Sequence, residues 1–162
     1  MFKKAVKLIL DEEGVLSDRK SDLGGLTKYG ISQKAYPDLD IRSLTVQQAI
    51  DIYERDYWNI NRCGEMPWWA ALVVFDCGVN QGVGIAAGFI QKTVRAKQDG
   101  IIGPQSLALI WKTSPLYGIT RFQGYRGVRY ADTATFTQNG LGWMTRLSRV
   151  SIHAALNGEN DG

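Results

Sequence analysis

One stretch of this chain cannot face water on any side. From Pro67 the sequence runs through Trp68, Trp69, Leu72, Val73, Val74 and Phe75, and proline suits the first position of a helix. A helix apolar nearly all round has to be surrounded, so the pattern predicts a buried central helix over 67–79 with other helices packed about it. The rest of the chain offers them. Thr45-Val46-Gln47-Gln48 reads as a capping box, with Val46, Ile50, Tyr53 and Tyr57 forming one face of the helix it opens. Further helices are predicted over 84–97, 104–113, 115–132 and 139–157, and Gly103-Pro104 and Ser114-Pro115 mark two breaks. The expected fold is mainly α, with one small β-hairpin following the first helix.

That first helix, Met1 to Glu13, carries Phe2, Ala5, Val6 and Ile9 along one stripe. At ~100° per residue Glu13 falls roughly 30° from the centre of the stripe, and Glu12 roughly 70° off it. Gly14 then offers a left-handed stop. An inward carboxylate at the negative end of a helix dipole favours its protonated form, which is what a general acid needs. The competing reading is a helix-end glutamate paired with Lys or Arg. The next segment is polar and ends in Gly24-Gly25, suited to a tight reversal, before the β-favouring Leu26 to Ile31. A helix ending in an acid, followed by a hairpin carrying Asp22 and Thr27, gathers the groups that glycoside hydrolysis requires. Glu13 is the candidate acid. Asp22 and Thr27 are candidates to hold a water or stabilise an oxocarbenium ion.

Glu13-Gly14 followed by Asp22-x-Gly24-Gly25-x-Thr27-x-Tyr29-Gly30-Ile31 resembles the motif of glycoside hydrolase family 108, phage-type lysozymes also described as secretion activator proteins. The resemblance implies a lysozyme-like helical body and an N-acetylmuramidase with the motif glutamate as acid. Val15 and Leu16 depart from it, where a second glycine and an aromatic are expected, so Glu12 stays open as the alternative acid. Phe75-Asp76-Cys77-Gly78-Val79-Asn80-Gln81-Gly82 is similar to the family at that point. Asp99-Gly100-Ile101-Ile102-Gly103-Pro104-Gln105-Ser106-Leu107 and Gly142-Trp143-Met144-Thr145-Arg146 resemble a predicted peptidoglycan-binding segment that commonly follows such lysozymes. The expected division is therefore a catalytic segment, 1–84, and a binding-type helical segment, 85–162, packed as one body.

Asp76 is the only charge in the central helix, and Asn80 lies one turn further on the same face. A lone buried charge must be paired or hydrogen-bonded. Asp76 therefore reads as a network anchoring the hairpin or a neighbouring helix. The functional alternative has Asn80, with Gln81, bonding sugar hydroxyls or N-acetyl groups. Flat pyranose faces stack on aromatic rings. Trp58, Trp68, Trp69, Trp111, Trp143 and Tyr57 are candidates that read first as core, and Tyr29 is the preferred platform because it follows Thr27.

A chain of 162 residues can bury about two-thirds of its unfolded surface, enough for a real core. Nineteen basic residues against sixteen acidic give a net charge of +3. That suits an anionic wall polymer and is too weak and scattered for nucleic acid. His153 is the only histidine, and Cys63 and Cys77 are too far apart for a metal motif. No metal and no cofactor is expected, and the thiols should be reduced or buried. The N-terminus does not read as a signal peptide, and no apolar run approaches the roughly 20 residues of a membrane span. Synthesis in the cytoplasm, with the cell wall or periplasm reached through export machinery or a holin, is the expectation. Three functions compete: a muramidase acting on peptidoglycan glycan strands as an endolysin does, a lytic transglycosylase, and a non-catalytic cell-wall-binding or secretion-accessory protein. Product ends separate the first two, and the Val15-Leu16 departure is the best support for the third.

Overall fold

The computed structural model describes residues 1–13, 16–17 and 26–156, without the side chains of 13, 16 and 17. The chain forms two compact units, Met1–Asp56 and Tyr57–Gly162. The expected boundary at 84/85 divides sequence segments; these units divide the chain by its internal packing.

In the first unit, helix α1 spans Phe2–Glu13. Its stripe behaves as the pattern dictates: Ala5, Val6 and Ile9 are buried, while Lys3, Lys4 and Lys7 face solvent. Lys7 pairs with Asp11 at 2.7 Å, an i,i+4 surface pair. Three two-residue strands follow, β1 Leu16–Ser17, β2 Thr27–Lys28 and β3 Ile31–Ser32. They form one antiparallel sheet in the order β1-β2-β3. The expected hairpin is thus extended by a third strand. The reversal expected at Gly24-Gly25 lies outside the described residues. The β2–β3 reversal is Tyr29-Gly30, with φ of 51° and 77°. Two positive φ values between paired Lys28 and Ile31 match a type I′ turn, whose twist suits antiparallel strands.

Helix α2, Val46–Tyr53, opens with the expected capping box: the Thr45 hydroxyl accepts from the Gln48 amide, and the Gln48 side chain accepts from Thr45. Its buried face differs from the expected one. Ala49, Ile52 and Tyr53 are buried, Ile50 is half-buried, and Val46 is 43% exposed. The α-helix is only eight residues long, and the chain continues as a π-turn over Glu54–Trp58. A π-turn shifts the helical phase, so Tyr57 leaves the predicted stripe.

The second unit is built around α3, Trp68–Gln81, in which every residue from Trp68 to Gly78 is buried. It packs against α4 (Val83–Thr93), α6 (Pro115–Ala131) and α7 (Phe136–Leu156). Pro67 caps α3 from one position outside it. The Trp68 indole donates to the His153 carbonyl at 3.0 Å, tying α3 to α7. Trp69 lies so close to Gly118 of α6 that a Cβ there would sit 2.3 Å from its ring.

Helix α4 stops at Thr93, four residues before the expected end. Arg95 takes φ 59°. The Ala96 amide reaches back to the Gln91 carbonyl at 2.8 Å, and the Arg95 amide to Lys92 at 3.4 Å. This is a Schellman stop made without the usual glycine. Gln91 also organises the following loop: its amide donates to Asp99 and the Ile101 carbonyl and accepts from the Gly100 amide. Helix α5, Pro104–Lys112, then starts on proline as predicted, as does α6.

Candidate functional site

Each sequence-derived site residue among the described ones has a definite place along these elements. Glu13 is the last residue of α1. Its side chain, like Asp22 altogether, lies outside the described residues. Thr27 opens β2 opposite Ser17 of β1, so the strand that follows the α1 terminus pairs directly with the strand that bears the hydroxyl. The adjoining turn is held firmly. The Tyr53 hydroxyl donates to the Tyr29 carbonyl at 2.8 Å. The Lys28 ammonium donates to the Arg42 carbonyl at 2.8 Å and lies 5.5 Å from the centre of the Tyr29 ring. A left-handed tyrosine costs backbone energy that its surroundings must offset, and these contacts provide the offset.

In the second unit the charge on α3 finds two partners. Asp76 meets Arg126 of α6 at 2.7 Å and Arg146 of α7 at 2.8 Å, and both Asp76 and Arg126 are fully buried. Burial works against the charge of Arg126. Asp76, and to a lesser degree Cys77 and Tyr130, outweigh it, so the guanidinium is held above its ordinary value. Arg126 also donates to the Gln81 side-chain oxygen and to Gln123, each at 3.1 Å. The Cys77 thiol donates to the same Gln81 oxygen at 3.4 Å. Asn80 accepts a hydrogen bond from the Tyr130 hydroxyl, whose own pKa burial pushes upward. Asn80 and Gln81 line a recess of about 380 Å³ with Tyr130, Arg129, Thr135 and Trp143. The Tyr130 and Trp143 rings stack there at 4.7 Å.

Residues 6–82 match the family model described as Glycosyl hydrolase 108. Over these residues the chain is similar to glycosyl hydrolase family 108. A solved structure, SagA of Brucella abortus, is 29% identical with a TM-score of 0.91, covering 99% of this chain and 97% of that one. No curated protein matches the chain.

The glycosyl hydrolase 108 segment contains all six candidate residues: Glu13, Asp22, Thr27, Tyr29, Asn80 and Gln81. The first four fall in the first unit, and Asn80 and Gln81 in the second. The recess beside Asn80 is completed by Arg129, Tyr130, Thr133, Thr135 and Trp143, all beyond the segment. Sequence reasoning named Trp143 among the aromatic candidates that read first as core; it missed Arg129, Tyr130, Thr133 and Thr135, and it missed Arg126 and Arg146 as the partners of Asp76. A signal was present. Phe122, Arg126 and Tyr130 recur every four residues on the buried face of α6, which puts an arginine where an apolar side chain is due. Among the tryptophans, Trp58, Trp68 and Trp69 are core. Trp143 is half-buried, and Trp111 is exposed with its indole donating to the Glu65 carbonyl. Cys63 and Cys77 are free and buried. Burial pushes the Cys77 thiol up to about 12, which keeps it protonated at neutral pH. Among the described residues no His, Cys, Asp and Glu cluster could hold a metal, and no helix is long and apolar enough to cross a membrane.

Proposed function

We propose that the chain is an N-acetylmuramidase, hydrolysing the β-1,4 bond between N-acetylmuramic acid and N-acetylglucosamine in peptidoglycan. The observation that carries this reading is the family-matched segment itself, which contains Glu13 at the end of α1 and Thr27 on the sheet after it. The Glu13 carboxyl gives its proton to the glycosidic oxygen as the bond to muramic acid C1 breaks. Its place at a helix C-terminus favours the neutral carboxyl over the carboxylate. A water held by the Thr27 hydroxyl adds to C1 from the opposite face and gives its proton to Asp22, so the anomeric configuration inverts. Tyr29 offers a ring to a pyranose face, and Asn80 and Gln81 hydrogen-bond the peptidoglycan. Proton transfers suffice, and no metal or cofactor enters. Residues 85–162 add affinity for the polymer. The protein is made in the cytoplasm and reaches the wall through export machinery or a holin.

Clearing of purified peptidoglycan by Glu13→Gln tests the acid. General acid assistance is worth about 10²–10⁴-fold, so lysis should fall by that factor with the melting temperature unchanged. A loss below tenfold overturns the assignment. Glu12→Gln should keep most activity, and a reversal of the two results moves the acid by one residue. Products ending in 1,6-anhydromuramic acid would replace hydrolysis with transglycosylation.

A further inference from the structure

The recess beside Asn80 has a polarity set by the groups around it. The Gln81 side-chain oxygen is occupied by Arg126 and Cys77, so its NH₂ is the free end. The Asn80 oxygen is likewise occupied by Tyr130, which leaves its NH₂ free. Such amide orientations are fixed only by their networks, and here both networks present donors. Thr133 lines the recess too, its hydroxyl donating to the Tyr130 carbonyl, and so do Arg129, Thr135 and Trp143, which carry a guanidinium, a hydroxyl and an indole N–H. Among the described residues none of these three has a hydrogen-bond or ion-pair partner. Among the described residues no carboxylate lines this recess. The buried Arg126 Nη2 has no hydrogen-bond acceptor. Apart from the Thr133 hydroxyl, whose proton goes to the Tyr130 carbonyl, the side chains lining the recess offer donors and the positive charge of Arg129, and ask for a ligand that supplies acceptors and negative charge.

We infer that this recess is a subsite for a carboxylate of the peptidoglycan stem peptide, bound through Arg129, the amide nitrogens of Asn80 and Gln81, and Thr135. The inference rests on the peptidoglycan reading above. A neutral sugar would meet the donors with hydroxyls but leave the charge of Arg129 unanswered. A carboxylate brings one negative charge to one exposed guanidinium, and its two oxygens suit a planar fork of N–H groups. The stacked Tyr130–Trp143 pair walls one side, where an apolar stem residue can rest. The subsite thus discriminates peptide-bearing glycan from naked glycan, whereas the groups on the first unit act on the glycosidic bond.

The test uses the full chain and two probes: N-acetylmuramoyl-L-alanyl-D-isoglutamic acid, with free carboxyls, and its diamide. Neither contains the scissile linkage. Calorimetric or NMR titration should show the acid binding at least tenfold more tightly than the diamide, with the preference shrinking as salt rises. Arg129→Gln, at an exposed position, should erase that preference, and Thr135→Val should weaken acid binding about threefold. Equal affinity for the two probes, wild-type preference in Arg129→Gln, or no binding of the acid up to 10 mM overturns the subsite. The two readings fail separately. A chain that shows the preference and cleaves no peptidoglycan keeps the subsite and loses the muramidase; a chain that cleaves without the preference does the reverse.

Discussion

Unit Met1–Asp56 and unit Tyr57–Gly162 hold their polar anchors in opposite ways. In the first, Asp56 is gripped by Arg55 at 2.6 Å and receives the Tyr36 hydroxyl at 2.8 Å, with the arginine largely in water. Its three strands are two residues each, and its tightest turn is a left-handed tyrosine. In the second, Asp76 and its two arginines lie inside the helical packing and join α3, α6 and α7 at one point. Surface pairs are screened and contribute little. A buried pair that loses one partner leaves an uncompensated charge behind. The second unit is therefore the one whose fold depends on single polar residues. The first carries the candidate acid on a smaller, more locally determined frame.

The largest effect that could break this contrast is at Asp76. Asp76→Ala should cost about 3–5 kcal/mol by stranding Arg126 and Arg146, on the order of 10 °C in melting temperature. Asp56→Ala should shift melting by a small fraction of that. Equal losses in thermal denaturation would show that burial is not what separates the two anchors.

A smaller effect sharpens the picture of α6 against α3. Gly118→Ala would drive a methyl into the Trp69 ring, at 2.3 Å before relaxation, and should destabilise by about 1–3 kcal/mol. Gly124→Ala, on the same helix with nothing within 4 Å of the added carbon, should be neutral or gain up to about 1 kcal/mol. Urea titrations of the two variants decide it, and similar midpoints would refute the close approach.

The smallest effect concerns acid. The hydrogen bond from Arg55 holds the Asp56 carboxyl below its ordinary value, against a smaller opposing effect of burial. A depressed folded pKa contributes stability that is complete above the unfolded value, about 3.9, and is lost as pH falls through the folded one. Between pH 5 and pH 3 the wild type should lose slightly more melting temperature than Asp56→Asn. Parallel curves would remove the pair from the acid response.

Several of these features are legible in the sequence, because their causes are local. The stripe of α1, the Thr45–Gln48 box and the proline starts of α5 and α6 need only neighbours within a turn. Others had no local sign. Arg95 ends α4 where glycine is usual, and Tyr29 turns the chain where asparagine or glycine is usual. The π-turn after α2 shifted the phase of Tyr57 away from the face that periodicity had assigned to it. The six candidate residues were named from motif and helix phase, and the family match contains them all.

By itself, the sequence determined that a helix apolar on every side needs a helical surround, that Asp76 within it needs a partner, and that Glu13 closes an amphipathic helix ahead of strands. These follow from spacings of a few residues and from the cost of leaving a charge or an apolar surface in the wrong solvent. Only the tertiary structure decided that the partners are Arg126 and Arg146, 50 and 70 positions away. It also decided that Gln81 and Asn80, their side-chain oxygens taken by Arg126 and Tyr130, line a recess completed by residues of α6 and α7. Long-range pairing is chosen by which helices pack together, and helix packing depends on the whole surface of each helix rather than on any short run of residues.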